Sequence, residues 1–148
     1  LDINMLEPFD YARYYDIGES YLNEFYSPVE KNWQLDHSNI LEIKPLIPEF
    51  LENVQYTLKQ PTLNDIDAML DDDRLVFVTL NSRVLNDETG YFAHAVLIID
   101  RDEGEYIVHD PGLPPLANRH IDRQKFLKAM GDTNTTSEVT GFRLPATK

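Results

Sequence analysis

The sequence predicts an α+β fold, with helices first and a small antiparallel β-sheet after them. Three observations carry this. Residues 91–99 and 105–109 read as two strands, one rich in Val, Ile, Leu and aromatics and the other alternating, with Asp100 to Gly104 as turn chemistry between them. Residues 74–80 form a short apolar run that ends at Asn81, as a strand buried on both faces does. Upstream, apolar residues recur at three- and four-residue steps, the helical spacing.

Taken in order, residues 1–8 are a short lead-in with strand character. Residues 9–26 carry a helical pattern through Phe9, Ala12, Tyr15, either Tyr21 or Leu22, and Phe25, with Asp10 as N-cap, Gly18 as a point of division and Pro28 as the stop. Tyr11, Tyr14, Tyr15, Tyr21 and Tyr26 crowd this segment, as on an amphipathic helix whose phenol rims face water. Residues 27–43 read as irregular, with Pro28, Asn32, Asp36, Ser38 and Asn39 as loop residues around Trp33 and His37. Residues 45–58 return to helix, with Leu46, Phe50 and Val54 on one side and Pro48 in the first turn.

Thr62 with Asp65 approximates a capping box for the next helix, whose buried stripe is Ile66, Met69 and Leu70. The acidic run Asp71, Asp72 and Asp73 lacks the alternating spacing of a calcium loop and reads as an acidic helix end. Residues 81–90 form a polar loop. Gly104 is expected at positive φ in the hairpin turn. Pro111 to Pro115 make a rigid turn leading to a helix capped by Asp122, with Phe126, Leu127 and Met130 buried and Gly131 as its stop. Arg119, His120, Arg123, Lys125 and Lys128 form a basic patch that reads as a solvated face, and residues 138–144 close the sheet.

Two polar residues interrupt the apolar hairpin: His94 and Asp110. A turn centred on about residue 102 puts them directly opposite each other; one centred a residue later puts Asp110 opposite Val96 and diagonal to His94. Both registers place the two on one face, whereas the intermediate register separates them. An aspartate accepting from one imidazole nitrogen fixes the tautomer and leaves the other nitrogen as base or acid. A buried histidine hydrogen-bonded for structural reasons is the alternative.

The helix at Pro61–Ile66, the strand Leu75–Asn81, the histidine strand His94–Asp100 and the aspartate strand Tyr106–Pro111 occur in the order found in one peptidase family. Over residues 58–130 the chain resembles the peptidases that remove double-glycine leaders from bacteriocins, in the papain-like cysteine peptidase superfamily. The resemblance implies a papain-like fold, peptide or protein substrates, His94 as base, Asp110 as its orienting carboxylate and a loop from Asn81 to Gly90 bordering the cleft, with Asn81 at the substrate. It implies no cofactor. The departure is the nucleophile: the family uses a cysteine, and this chain has none. Residue 1 is Leu rather than Met, so a missing N-terminal segment is expected to carry that cysteine. The other reading is a catalytically inactive peptidase-like module that binds a peptide.

At 148 residues the chain is expected to form one domain, and its net charge of −13 repels phosphates and anionic membranes, so neither nucleic acid nor a membrane is an expected partner. No apolar run approaches the roughly 20 residues of a membrane span. Without cysteine there are no disulfides or thiolate metal sites. His94 and Asp110 supply two ligands where a catalytic zinc site takes three, and His109 points away in a strand, so no metal is expected.

Overall fold

The computed structural model describes residues 1–112, 114–131 and 137–144. The elements run β1 (Asp2–Glu7), α1 (Tyr11–Ile17), α2 (Glu19–Phe25), α3 (Pro28–His37), a 3₁₀ turn (Lys44–Leu46) and α4 (Ile47–Asn53). They continue with β2 (Gln55–Leu58), α5 (Leu63–Asp71), β3 (Leu75–Asn81), α6 (Ser82–Leu85) and β4 (Ala93–Arg101). The chain then forms β5 (Glu105–Asp110), β6 (Leu116–Asp122), α7 (Arg123–Gly131) and β7 (Val139–Arg143).

The fold is mixed α/β, with all seven strands in one sheet of order β2-β1-β7-β3-β4-β5-β6. The four expected strands lie at its centre and one side, and the sheet is larger than the expected small antiparallel one. The lead-in becomes β1, so a strand precedes the helices. Residues 55–58, expected at the end of a helix, leave it at Asn53 and pair parallel to β1 as β2. The expected turn after Asp110 is followed by a further strand, β6, before the helix begins.

One face of the sheet is covered by α5, α6 and α7. It buries Ile66, Met69, Val76, Val78, Val96, Ile98, Tyr106, Val108, Phe126 and Val139 in the main core. The even-numbered residues of β3 and β4 supply this face, as strand alternation requires. A second cluster, Phe9, Tyr14, Tyr21, Leu22, Ile40 and Ile47, holds the N-terminal helices together as a helical lobe.

Local signals account for the element ends. Thr62 and Asp65 form the expected capping box, and Asp10 caps α1 through the Arg13 N–H. Gly18, at φ 58°, divides α1 from α2, a conformation that glycine adopts without the Cβ clash of other residues. The expected loop at residues 28–37 is instead α3. Ser27 and Glu30 complete a capping box and Pro28 sits at the first turn, so the proline that stops one helix opens the next.

Tyr14 and Tyr21 depart from the expected rim-to-water arrangement, whereas Tyr15 is exposed. Tyr14 and Tyr21 are buried, the first donating to the Ile40 carbonyl and the second accepting from the Asp10 N–H. In α7 Phe126 and Met130 are buried as expected, but Leu127 is 42% exposed and Ala129 takes its place in the core. Gly104 does not adopt positive φ; Asp102 Oδ1 closes the hairpin turn by accepting the N–H groups of Gly104 and Glu105. The basic patch is largely paired: Arg119 with Asp110, His120 with Glu105, Arg123 with Asp67, and Lys125 with Asp87. No helix among the described residues is long and apolar enough to cross a membrane.

Candidate functional site

His94 and Asp110 meet at the end of the helix-covered face. His94 pairs with Leu80 of β3, and Asp110 closes β5. A bulge on β4 brings them together, and a second lies on β6. Ile98 pairs with Val108 but Asp100 with Ile107, so Ile99 is an extra residue on β4. Extended from the turn without that bulge, the register would set His94 and Asp110 on opposite faces. Beyond it, Leu97 pairs with His109, which puts Asp110 diagonal to His94.

The second bulge lies on β6, between the pairs Val108–Arg119 and Asp110–Leu116. Asn118 sits there at φ 52°, a conformation its short polar side chain tolerates better than most. Arg119, paired with Val108 before the bulge, lies on the same face as Asp110 by strand alternation.

His94 Nε2 lies 2.6 Å from Asp110 Oδ1, with the histidine side chain 17% and the aspartate side chain 8% exposed. The Gly112 N–H donates to the same oxygen at 2.9 Å, and Arg119 Nη1 donates to Oδ2 at 2.9 Å. Arg119 Nη2 also donates to the Leu85 carbonyl and the Asn86 side chain, tying α6 to the carboxylate. Burial pushes the Asp110 carboxyl up, but His94, the Gly112 N–H and Arg119 outweigh it and hold the group below the usual carboxylate range. An ionised carboxylate only accepts, so Nε2 is the protonated ring nitrogen. Nδ1 is then the nitrogen with a lone pair to offer.

Asn81 is buried and its amide organises the loop that follows. Nδ2 donates to the Gly90 carbonyl, and Oδ1 accepts the N–H groups of Arg83 and Phe92. Strand alternation sets it one position past Leu80, off the face that carries His94. His109 is exposed, pairs with Leu97 and accepts the Asn118 N–H at Nδ1, apart from Asp110 as expected.

Two contributors to the site were not anticipated. The Gly112 contact is an Asx-type turn, legible in the Asp110, Pro111, Gly112 order. The Arg119 contact has no local signal, since it joins two strands at a separation of nine residues and depends on their pairing. A separate group, Asp102, Glu105 and His120, places potential ligand atoms within 4.8 Å of one another at the exposed hairpin turn.

Fold and site together define a mixed α/β domain with a partly buried histidine–carboxylate pair. Comparison with protein-family models, with curated proteins and with solved structures found no match.

Proposed function

We propose that this chain is a peptidase-like domain of the papain-like class, with His94 as general base and acid and Asp110 as the residue that orients it. The observation carrying this reading is the 2.6 Å contact of His94 Nε2 with an Asp110 carboxylate that Gly112 and Arg119 hold in place. In a complete catalytic unit, Nδ1 would take the proton of a cysteine thiol. The thiolate would attack the peptide carbonyl, and the imidazolium would protonate the leaving amine. The chain contains no cysteine, so the thiol must come from another polypeptide segment, and this chain alone is expected to leave peptide bonds intact.

A second reading, a module that binds a peptide without cutting it, is favoured by Arg119. Its guanidinium pairs with Asp110 Oδ2 and also reaches the end of α6, so the carboxylate serves as a structural tie as well as a partner of the imidazole.

Hydrolysis of p-nitrophenyl acetate separates the readings, because an accessible imidazole base attacks this activated ester itself, expels p-nitrophenolate and gives an acyl-imidazole that water hydrolyses, with no thiol needed. If His94 is that base, His94→Ala removes most of the protein-dependent rate, and Asp110→Asn lowers it by about tenfold or more. Exposed His37, His109 and His120 set the background. A His94→Ala protein as fast as the parent would sink the base and leave the binding module.

A further inference from the structure

The hairpin turn between β4 and β5 carries chemistry that the His94–Asp110 pair does not use. On β5 and β6, Tyr106 pairs with Ile121 and both turn into the core, so Glu105 and His120 on either side of that pair point to the other face. Glu105 sits opposite Asp122 and His120 opposite Ile107, which makes Glu105 and His120 diagonal neighbours. His120 Nδ1 lies 2.9 Å from Glu105 Oε2, and both side chains are half-exposed. Asp102 joins them from the turn, with one ligand atom from each of the three within 4.8 Å of the others.

The backbone under these side chains is fixed. The Asp102 N–H donates to the Glu105 carbonyl at 3.1 Å, and the Arg123 N–H ties the Gly104 carbonyl to the start of α7 at 3.0 Å. Asp102 Oδ1 accepts the Gly104 and Glu105 N–H groups, which leaves Oδ2 without a hydrogen-bond partner among the described residues. Charge is unbalanced here as well. Arg101 is committed to Asp67 and Asp71, Arg123 to Asp67 and Lys125 to Asp87, so the neighbouring bases are held elsewhere. Two carboxylates are left with one imidazole, and Asp100, Glu103 and Asp122 add to the excess.

We propose that Asp102, Glu105 and His120 bind one zinc ion, with water completing its coordination. His120 gives the lone pair of Nδ1, any proton there passing to solvent, while Asp102 Oδ2 and a Glu105 oxygen supply the other two bonds. The two charges of the metal then match both carboxylates, where an imidazolium matches only one. Zinc bonds to nitrogen and carboxylate oxygen are about 2.0–2.2 Å long, which sets tetrahedral ligand atoms about 3.4 Å apart. The 2.9 Å contact and the 4.8 Å limit bracket that spacing, so small side-chain rotations at an exposed turn complete the site. The imidazole donor selects zinc over calcium and magnesium, which take oxygen ligands. The site shares no residue with the His94–Asp110 pair and stands or fails independently of the peptidase reading.

The full chain, without a polyhistidine tag and stripped of metal by a chelator, is titrated with zinc chloride by calorimetry, and with calcium and magnesium chloride for comparison. Saturable binding of one zinc per chain at micromolar concentration, with no comparable binding of calcium or magnesium, is the expected result. In the parent protein, imidazole nitrogen NMR should show zinc moving the His120 Nδ1 signal and leaving that of His94 in place. His120→Ala and Glu105→Gln should each weaken zinc binding by about tenfold or more. Asp102→Asn, which keeps the turn's acceptor oxygen and removes the charge, should weaken it too, whereas His37→Ala and His109→Ala should not. The three ligand side chains lie at the surface, and circular dichroism checks that each variant is folded. The proposal is overturned if zinc does not saturate, if calcium binds as tightly, if folded His120→Ala keeps its affinity, or if the NMR signals place zinc on another histidine.

Discussion

Gly112 and His94 converge on a single oxygen of Asp110: the Gly112 N–H at 2.9 Å and His94 Nε2 at 2.6 Å both reach Oδ1. The space for this is narrow. A Cβ on residue 112 would lie 3.0 Å from that oxygen and 3.7 Å from both Cε1 and Nε2 of His94.

Gly112→Ala is therefore expected to break the His94–Asp110 contact while leaving the sheet folded, because Arg119 keeps the carboxylate from retreating. The measurement is the imidazole nitrogen NMR spectrum of His94, assigned with His94→Ala. The parent should show a protonated, hydrogen-bonded Nε2, and Gly112→Ala should show mixed tautomers. An Nε2 signal unchanged by the substitution would mean the crowding is relieved elsewhere.

Arg119 connects three elements, donating to Asp110 on β5 and to Leu85 and Asn86 at the end of α6. Replacing it with Met keeps the aliphatic stem but leaves a buried carboxylate and a carbonyl short of donors. The expected cost is about 1–3 kcal/mol in urea unfolding, and Arg119→Lys should recover only part of it because a lysine cannot span the three acceptors. A Met variant within about 0.5 kcal/mol of the parent would show that water replaces the guanidinium at no cost.

Asp67 provides the pH dependence. Burial pushes its carboxyl up, but hydrogen bonds from Arg123, Arg101 and Tyr106 prevail and bring it down to about 2. A carboxyl depressed on folding stabilises the native state fully above the ordinary value of 3.8, and that contribution is lost as the pH falls through about 2. The urea midpoint should therefore drop between these values, with about 2 kcal/mol attributable to this group. Asp67→Asn should lower stability at neutral pH and make the acid slope shallower. An unchanged acid slope in that variant would assign the effect to other carboxylates.

How much of the site was legible follows from the range of each interaction. Asp110, Pro111 and Gly112 announce their own turn, and the strands bearing His94 and Asp110 are plain in the alternation. The pairing required an even register, and the hairpin has the odd one near its turn, where Asp100 faces Ile107. The Ile99 bulge restores parity, and no residue type in the run from Val96 to Asp100 demands a bulge. Ser27, Pro28 and Glu30 form a readable helix start that is obscured when Pro28 is taken only as a stop.

The sequence by itself determined the pieces: the capped start of α5, the division at Gly18, the strands of the hairpin and the acidic, cysteine-free character of the chain. These depend on contacts within about four residues or on composition, which local order specifies. The tertiary structure alone decided that β7 lies between β1 and β3, that Arg119 reaches Asp110 and that the tyrosine-rich lobe faces the sheet across a cleft. Those arrangements arise because faces far apart in the chain are buried against one another, and burial is non-directional: it rewards covering apolar surface without naming in advance which strand will cover it.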